Sequence, residues 1–279
     1  MEKVIYVNET DAQRKPLLPS ASSSVMSGLR LTAGVPLKDR DDSVLASAAG
    51  APVKHTSRPI VTGSSVIAMR CKDGVVMATD TLASYGSLAR FRQISRLYKA
   101  TDHCVIGGGG DMSDFFELCE TVRKETTLEY CYDDGHMITA SAIHQMLARI
   151  MYNRRNKMDP YWNYMLVAGW QHGKPVLGYV DLVGSHFVSE VIATGYGEYL
   201  GLPLLRKAYR EDITVEEGKK VLQQILTVLF YRDARTIDRI QIACVTEKGV
   251  EISEPTKLET EWSYKAFISG ARASDVSTW

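Results

Sequence analysis

A run of four glycines, Gly107–Gly110, is the segment of the sequence that most nearly matches a ligand-binding motif. It directly precedes a predicted helix, and backbone N–H groups in such a position can cradle a phosphate. The run lacks the G-x-G-x-x-G spacing of dinucleotide sites and the Lys-Ser/Thr pair of P-loops. We therefore predict a tight turn from a strand into a helix at these glycines, and not a phosphate site.

Metal, redox and nucleic-acid chemistry receive little support from the remaining polar residues. The six histidines show no metal-ligand spacing such as H-E-x-x-H, so we predict no metal and no cofactor. The odd number of cysteines and the lack of a C-x-x-C pair favour reduced, buried thiols over a disulfide framework. The basic residues Arg154, Arg155 and Lys157 fall where a helix would end, which suits the helix dipole or a subunit contact better than nucleic acid.

The composition is that of a globular protein without a strong electric field. The 279 residues include 33 basic and 33 acidic side chains, and 45% of the residues are hydrophobic. A balanced charge gives no long-range attraction to nucleic acid or to anionic lipid, and no stretch reaches the roughly 18 apolar residues of a membrane span. We predict one domain with an appendage, and neither nucleic acid nor membrane as a partner.

The appendage is the N-terminal segment, residues 1–61. It holds low-information runs such as Ser20–Ser24 and Ala46–Ala51, and it has few large apolar residues to offset the entropy of ordering. We interpret it as a flexible leader. It is either a plain disordered tail or a removable propeptide.

From Val61 onward the periodicity predicts strands, two helices, strands, two helices and strands, which is the pattern of a layered α+β fold. The helices are predicted after Asp111, after an N-cap at Thr139, around Tyr196–Tyr209, and after a Thr214/Glu217 capping box. The predicted strands are Ser64–Cys71, Val75–Thr79, Ile94–Lys99, Cys104–Ile106, Met165–Trp170, Pro175–Asp181, Phe187–Ile192, Arg239–Thr246 and Val250–Ile252.

At this point the sequence resembles a known family, the beta subunits of the 20S proteasome. The segment from Thr62-Gly63-Ser64-Ser65-Val66 to Asp80 is similar to the start of those subunits. Further motifs resemble one branch of the family: Ser84-Tyr85-Gly86-Ser87-Leu88-Ala89-Arg90-Phe91, Arg154–Asn163, Ala193-Thr194-Gly195-Tyr196-Gly197, and Tyr231-Arg232-Asp233-Ala234-Arg235. The match runs from about Thr56 to Gly270.

The resemblance implies the fold and the setting of the chain. The expected fold is the four-layer αββα sandwich of N-terminal-nucleophile hydrolases, in which two antiparallel sheets lie between helix pairs. We expect a leader over residues 1–55 that is cut near Thr56, a domain over 56–270, and a tail over 271–279. The expected partners are the other alpha and beta subunits of a hetero-oligomeric stack of rings in the cytoplasm and nucleus. The stretch from Trp262 to Trp279 would be either a frayed tail or an arm that reaches into the opposing beta ring.

The resemblance also assigns site positions, although this sequence departs from the family pattern at several of them. In active members an N-terminal threonine attacks, and its own amine is the base; that position holds Ser64. The family lysine is replaced by Arg96. The remaining positions are the acids Asp80 and Asp233, the oxyanion-hole glycine Gly110, and the supporting hydroxyls, which fall on Tyr196 and Thr236.

These departures favour a degenerate site in a structural subunit. A guanidinium stays charged and cannot share protons as lysine can, so we expect Arg96 and Asp80 to form a buried ion pair. If residues remain ahead of Ser64, its nitrogen is an amide and not a base. The alternatives are an active serine-type N-terminal-nucleophile peptidase that uses Ser64, with Gly63 at a self-cleaved bond, and a free-standing interaction module.

Overall fold

The computed structural model describes residues 58–263 of the chain. The predicted leader (1–55), the predicted tail (271–279), Thr56 and the end of the predicted domain lie outside these residues. None of the helices within 58–263 is both long and apolar enough to cross a membrane.

The elements follow the predicted order of strand and helix blocks. The strands are β1 (Val61–Gly63), β2 (Val66–Cys71), β3 (Gly74–Asp80), β4 (Ala83–Tyr85), β5 (Leu88–Phe91), β6 (Leu97–Thr101), β7 (Cys104–Asp111), β8 (Asn163–Gln171), β9 (Lys174–Val180), β10 (His186–Val188), β11 (Val191–Ala193), β12 (Arg239–Thr246), β13 (Gly249–Ile252) and β14 (Thr256–Lys257). The helices are α1 (Met112–Cys131), α2 (Ala140–Asn156), α3 (Tyr196–Leu200), α4 (Leu202–Ala208) and α5 (Val215–Arg232).

Two antiparallel sheets form the centre of the described fold. Sheet A has eight strands in the order β10-β9-β8-β7-β1-β4-β5, with β6 paired to the first half of β7 beyond the end of β1. Sheet B has six strands in the order β11-β2-β3-β12-β13, with β14 paired to the start of β12. Strand β2 alternates as predicted, and both of its faces are buried.

Three groups of buried apolar side chains separate four layers. Between the sheets lie Val66, Ala68, Met77, Val105, Leu166 and Val245. Helices α1 and α2 pack on sheet A through Phe115, Leu118, Ile143 and Leu147. Helices α4 and α5 pack on sheet B through Leu205, Leu222, Ile225 and Leu229. This is the predicted αββα sandwich, in which each helix layer buries an apolar stripe against one sheet.

The Gly107–Gly110 run is the end of strand β7, so the predicted tight turn is wrong. A Cβ atom at Gly107 would overlap the Met77 sulfur, and one at Gly108 would overlap the Phe115 ring. The glycines are therefore needed because core side chains cross directly over the strand, and the change into helix α1 occurs after them, at Asp111.

The predicted strand Phe187–Ile192 is two strands in different sheets. Strand β10 pairs with β9 in sheet A, and β11 pairs with β2 in sheet B. The chain crosses between the sheets at Ser189 and Glu190, whose backbone groups bond to Leu177 and Arg70 respectively. Continuous β propensity does not reveal such a crossing, because it depends on pairing with distant strands.

The predicted helix around Tyr196–Tyr209 is divided into α3 and α4 at Gly201. Pro203 has no N–H group to bond the carbonyl of Tyr199, and its ring would clash there, so one continuous helix cannot form. The hairpin of β4 and β5 was not predicted as strand, because segments of three and four residues are too short to show a clear alternation.

All five cysteines are free thiols, and one of them departs from the predicted burial. Cys131 is exposed at the end of α1, whereas Cys71, Cys104, Cys119 and Cys244 are buried. Burial raises the pKa of Cys104 to about 12 and is the main cause that raises the pKa of Cys244 to about 11. The buried thiols therefore carry very little reactive thiolate near neutral pH.

We expect iodoacetamide at about pH 8 to modify Cys131 of the folded full chain first. The buried cysteines should react roughly a hundredfold more slowly or only after unfolding, because the thiolate is the nucleophile and access is blocked. Mass spectrometry of timed samples measures this order. Cys131→Ser should abolish the fast phase, and equally fast modification of Cys104 would contradict the burial.

Candidate active site

Ser64 lies between β1 and β2, and the residues before it are part of sheet A. Strand β1 pairs with β7 through Thr62 and Gly63, and with β4 through Val61 and Thr62. The Ile60 N–H also donates to the Asp111 carboxylate at 3.0 Å. The backbone that enters Ser64 is therefore held on both sides by strand pairing.

The Ser64 hydroxyl contacts one of the two predicted acids. Its Oγ donates to Oδ2 of Asp233 at 2.5 Å. Asp233 is buried at the C-terminal end of α5, where its N–H bonds the Leu229 carbonyl at 2.7 Å. Its other carboxylate oxygen accepts the Arg235 N–H at 2.8 Å. Helix α5 and the turn after it therefore fix this carboxylate against the serine.

Arg96 is fully buried beneath the serine, and every guanidinium N–H has an oxygen partner. Its five hydrogen bonds reach the carbonyls of Asp80, Ser64, Gly108 and Ser65, and the Asp80 carboxylate. Four of these acceptors are backbone oxygens from β3, β7 and the junction before β2. Arg96 therefore ties three segments together and has no N–H left for a substrate.

Asp80 forms the predicted buried ion pair with Arg96. Its second carboxylate oxygen accepts the Leu82 N–H at 3.3 Å. Burial raises the pKa of the Asp80 carboxyl above its ordinary value, and the Arg96 guanidinium and the Leu82 N–H act in the opposite direction. Because both partners are buried, the pair is a structural element inside the sandwich and does not face solvent.

One cavity of about 200 Å³ opens beside Ser64. Three of the predicted site residues line it: Ser64, Gly110 and Tyr196. Gly110 has a φ of +91°, a region that favours glycine. Tyr196 is 59% exposed at the start of α3. Residues outside the predicted set, among them Tyr164, Thr194 and Arg235, complete the lining.

The predicted supporting hydroxyl of Thr236 lies away from this cavity. Its Oγ1 donates to the Asp233 carbonyl at 3.0 Å, so it stabilises the turn after α5. Two hydroxyls that the sequence reasoning did not single out fix the region instead. Ser65 Oγ accepts the Gly197 N–H at 2.8 Å, and Thr194 Oγ1 accepts the Val66 N–H at 2.9 Å. Ser65 and Thr194 both lie within the motifs that carried the family resemblance, so those motifs were the signal in the sequence that could have pointed to them.

The geometry therefore separates the predicted site residues into two groups. Ser64, Gly110 and Tyr196 line the cavity, with Asp233 buried behind Ser64 and bonded to its hydroxyl, while Arg96 and Asp80 form a closed buried ion pair. In the full-length chain the Ser64 nitrogen is an amide bonded to Gly63 of strand β1, and it becomes an amine only if that bond is cut. General-base catalysis needs an acceptor whose pKa lies near the operating pH.

Comparison with known proteins identifies the class that this fold and site define. The proteasome subunit family matches residues 60–245, so the chain belongs to that family. Several similar proteins carry the name of a particular member, proteasome subunit beta type-4. The protein of Xenopus laevis is 43% identical over 78% of this chain and 91% of its own length. The protein of Dictyostelium discoideum is 46% identical over 74% of this chain and 81% of its own length. The protein of Arabidopsis thaliana is 39% identical over 85% of this chain and 95% of its own length.

These similarities confirm the predicted family and the predicted branch within it. The match begins at Ile60 and therefore includes the strand before Ser64. It ends at Val245, inside β12, so the terminal segments are outside it.

Proposed function

We propose that this chain is a non-catalytic beta subunit of the 20S proteasome core particle. It assembles with the alpha and beta subunits of the stacked rings, and it supports ubiquitin-dependent degradation that neighbouring subunits catalyse. It acts in the cytoplasm and the nucleus. The observation that carries the proposal is the pairing of strand β1 with both β7 and β4, which makes the residues before Ser64 part of sheet A and favours their retention in the mature chain.

The position of β1 supports the lack of a general base, because a strand paired on both sides is expected to stay on the mature chain. The Ser64 nitrogen then remains an amide, which is not a base, and the hydroxyl has no adjacent amine to take its proton. The acid that it contacts, Asp233, is already held by the Arg235 N–H. Such a carboxylate orients the hydroxyl and is a much weaker base than an amine.

The surroundings of Arg96 support the same conclusion. A buried lysine can adjust its pKa and exchange protons, whereas a guanidinium stays protonated. Here the guanidinium is also fully occupied by one carboxylate and four carbonyl oxygens. The position that serves proton transfer in active members therefore serves packing in this chain.

The N-terminus and the reactivity of the assembled subunit test this proposal. Core particles purified from cells that express the full chain are treated with an electrophilic proteasome inhibitor and analysed by intact mass and N-terminal sequencing. We expect this chain to begin upstream of Ser64, near Thr56, and to carry no inhibitor, while the active subunits of the same particle are labelled. A chain that begins at Ser64 and carries an adduct there would establish the serine-type peptidase instead.

The assembly itself is tested by native gel migration of the tagged chain in cell extract. We expect the tag to migrate with the core particle. A persistently monomeric species would support the free-standing interaction module and remove the ring assignment. Fractionation of the same cells measures whether the tagged particle is present in both cytoplasm and nucleus.

A further inference from the structure

A second cavity, of about 320 Å³, lies apart from the Ser64 site and is lined mainly by charged side chains. We call it the basic groove. Its walls come from three places: the loop after β5, the start of β12 with the turn before it, and strand β14. The lining residues are Arg92, Gln93, Ile237, Asp238, Arg239 and Lys257. Three cations therefore converge on one concavity beside a single carboxylate.

The backbone of the fold fixes the positions of these cations. The buried hydroxyl of Thr81 donates to the Arg92 carbonyl at 2.9 Å, and the Thr81 N–H donates to the Arg239 carbonyl at 3.0 Å. Arg239 lies directly opposite Lys257 in the β12–β14 pair. The Leu258 N–H bonds the Asp238 carbonyl at 2.7 Å and closes the same corner. The sheet therefore fixes the backbone positions from which the three cations converge.

The charges of the groove are not balanced within the described residues. Lys257 Nζ lies 3.5 Å from the Asp238 carboxylate. Arg92 donates to the carbonyl of Ala89 at 3.4 Å, and neither Arg92 nor Arg239 forms an ion pair with any carboxylate in residues 58–263. Like charges directly opposite each other in a strand pair are destabilising. An anion bound between them would remove this repulsion.

We infer that the basic groove receives acidic side chains from a neighbouring subunit. This inference rests on the proposed function, which places other subunits against this chain. Guanidinium groups bind carboxylates through paired hydrogen bonds and are favoured at interfaces. The groove has no glycine-rich backbone cradle or helix N-terminus for a phosphate, and the balanced charge of the whole chain gives no field for nucleic acid. The occupant is an aspartate- or glutamate-bearing segment of another protein chain.

Photo-crosslinking in the assembled particle tests the groove. Gln93, an uncharged exposed residue of the groove, is replaced by p-benzoylphenylalanine in the full chain, and purified core particles are irradiated and analysed by mass spectrometry. We expect an adduct with an acidic segment of one other subunit. The adduct yield should fall about tenfold when Arg92→Glu and Arg239→Glu are introduced together, because charge-assisted hydrogen bonds become repulsion.

A matched control separates the groove from general charge effects. Lys248→Glu makes the same type of change at an exposed residue of the β12–β13 turn, outside the groove, and should leave the adduct yield unchanged. Three outcomes would each overturn the inference. The adducts could be confined to residues 1–57 or 264–279 of this chain, they could join a basic or apolar segment, or no interchain adduct could form. If the chain is in the particle in those cases, the proposed function stands. If native gels show it is absent from the particle, both fail.

Discussion

Replacement of Arg96 by alanine is expected to lower the free energy of unfolding by about 3–5 kcal/mol, because it removes one partner of a buried ion pair. The Asp80 carboxylate would lose its cation, and the carbonyls of Ser64 and Gly108 would lose the guanidinium donor, while the Ser65 carbonyl would keep the Thr79 hydroxyl. Uncompensated buried charges and carbonyls are among the few changes that produce effects of this size. Urea unfolding of the full chain, followed by tryptophan fluorescence, measures the loss.

Two further variants make this result specific. Arg96→Lys keeps a positive charge near Asp80 but has fewer donors, so it should lose less stability than Arg96→Ala. Arg149→Ala removes an exposed arginine of helix α2 and should change the free energy of unfolding by less than about 0.5 kcal/mol. Equal stability of Arg96→Ala and the unmodified chain would show that the hydrogen-bond network does not stabilise the fold.

Gly110→Ala is the second substitution for which we expect a large loss, about 3 kcal/mol or more. Its backbone has a φ of +91°, where alanine is strained. The added Cβ would also overlap the Trp162 carbonyl oxygen and lie 2.9 Å from the carbonyl carbon. Backbone atoms of β8 and of the segment before it cannot give way as the end of a flexible side chain can. The same urea titration measures the effect.

Gly135→Ala isolates the contribution of backbone conformation. Gly135 has a φ of +75°, but a Cβ there would meet no atom within 4 Å. We expect a loss of about 1–2 kcal/mol at this position, from conformational strain alone. A loss at Gly110 no greater than that at Gly135 would mean that the steric contact with Trp162 is relieved at little cost.

Helix starts and strand alternation could be predicted from the sequence, because each depends on residues that are close together in the chain. The capping box of Thr214 and Glu217 and the N-cap of Thr139 are both present, and α5 and α2 begin where these residues indicate. The alternation of β2 likewise follows from its two buried faces. These features need no knowledge of the rest of the chain.

Features that depend on distant contacts were not predictable in this way. The glycines of β7 look like a turn until Phe115 and Met77 are placed across the strand. The division of β10 from β11 requires the partners of each strand. At the site, the positions of Ser64, Arg96 and Asp233 came from the resemblance alone. The roles of Ser65 and Thr194 depend on hydrogen bonds between segments far apart in the sequence.

The strand order of sheet A gives the three residues before Ser64, which form β1, a structural role in the sheet. Within residues 58–263, β4 forms ladder bonds with β1 and β5, so the β4–β5 hairpin is attached to the rest of its sheet through β1. A cut at Ser64 followed by release of β1 would remove this connection and leave the facing edges of β7 and β4 without their partner, and unpaired edges invite aggregation. Retention of the residues before Ser64 would therefore preserve the sheet as well as keep the serine nitrogen an amide.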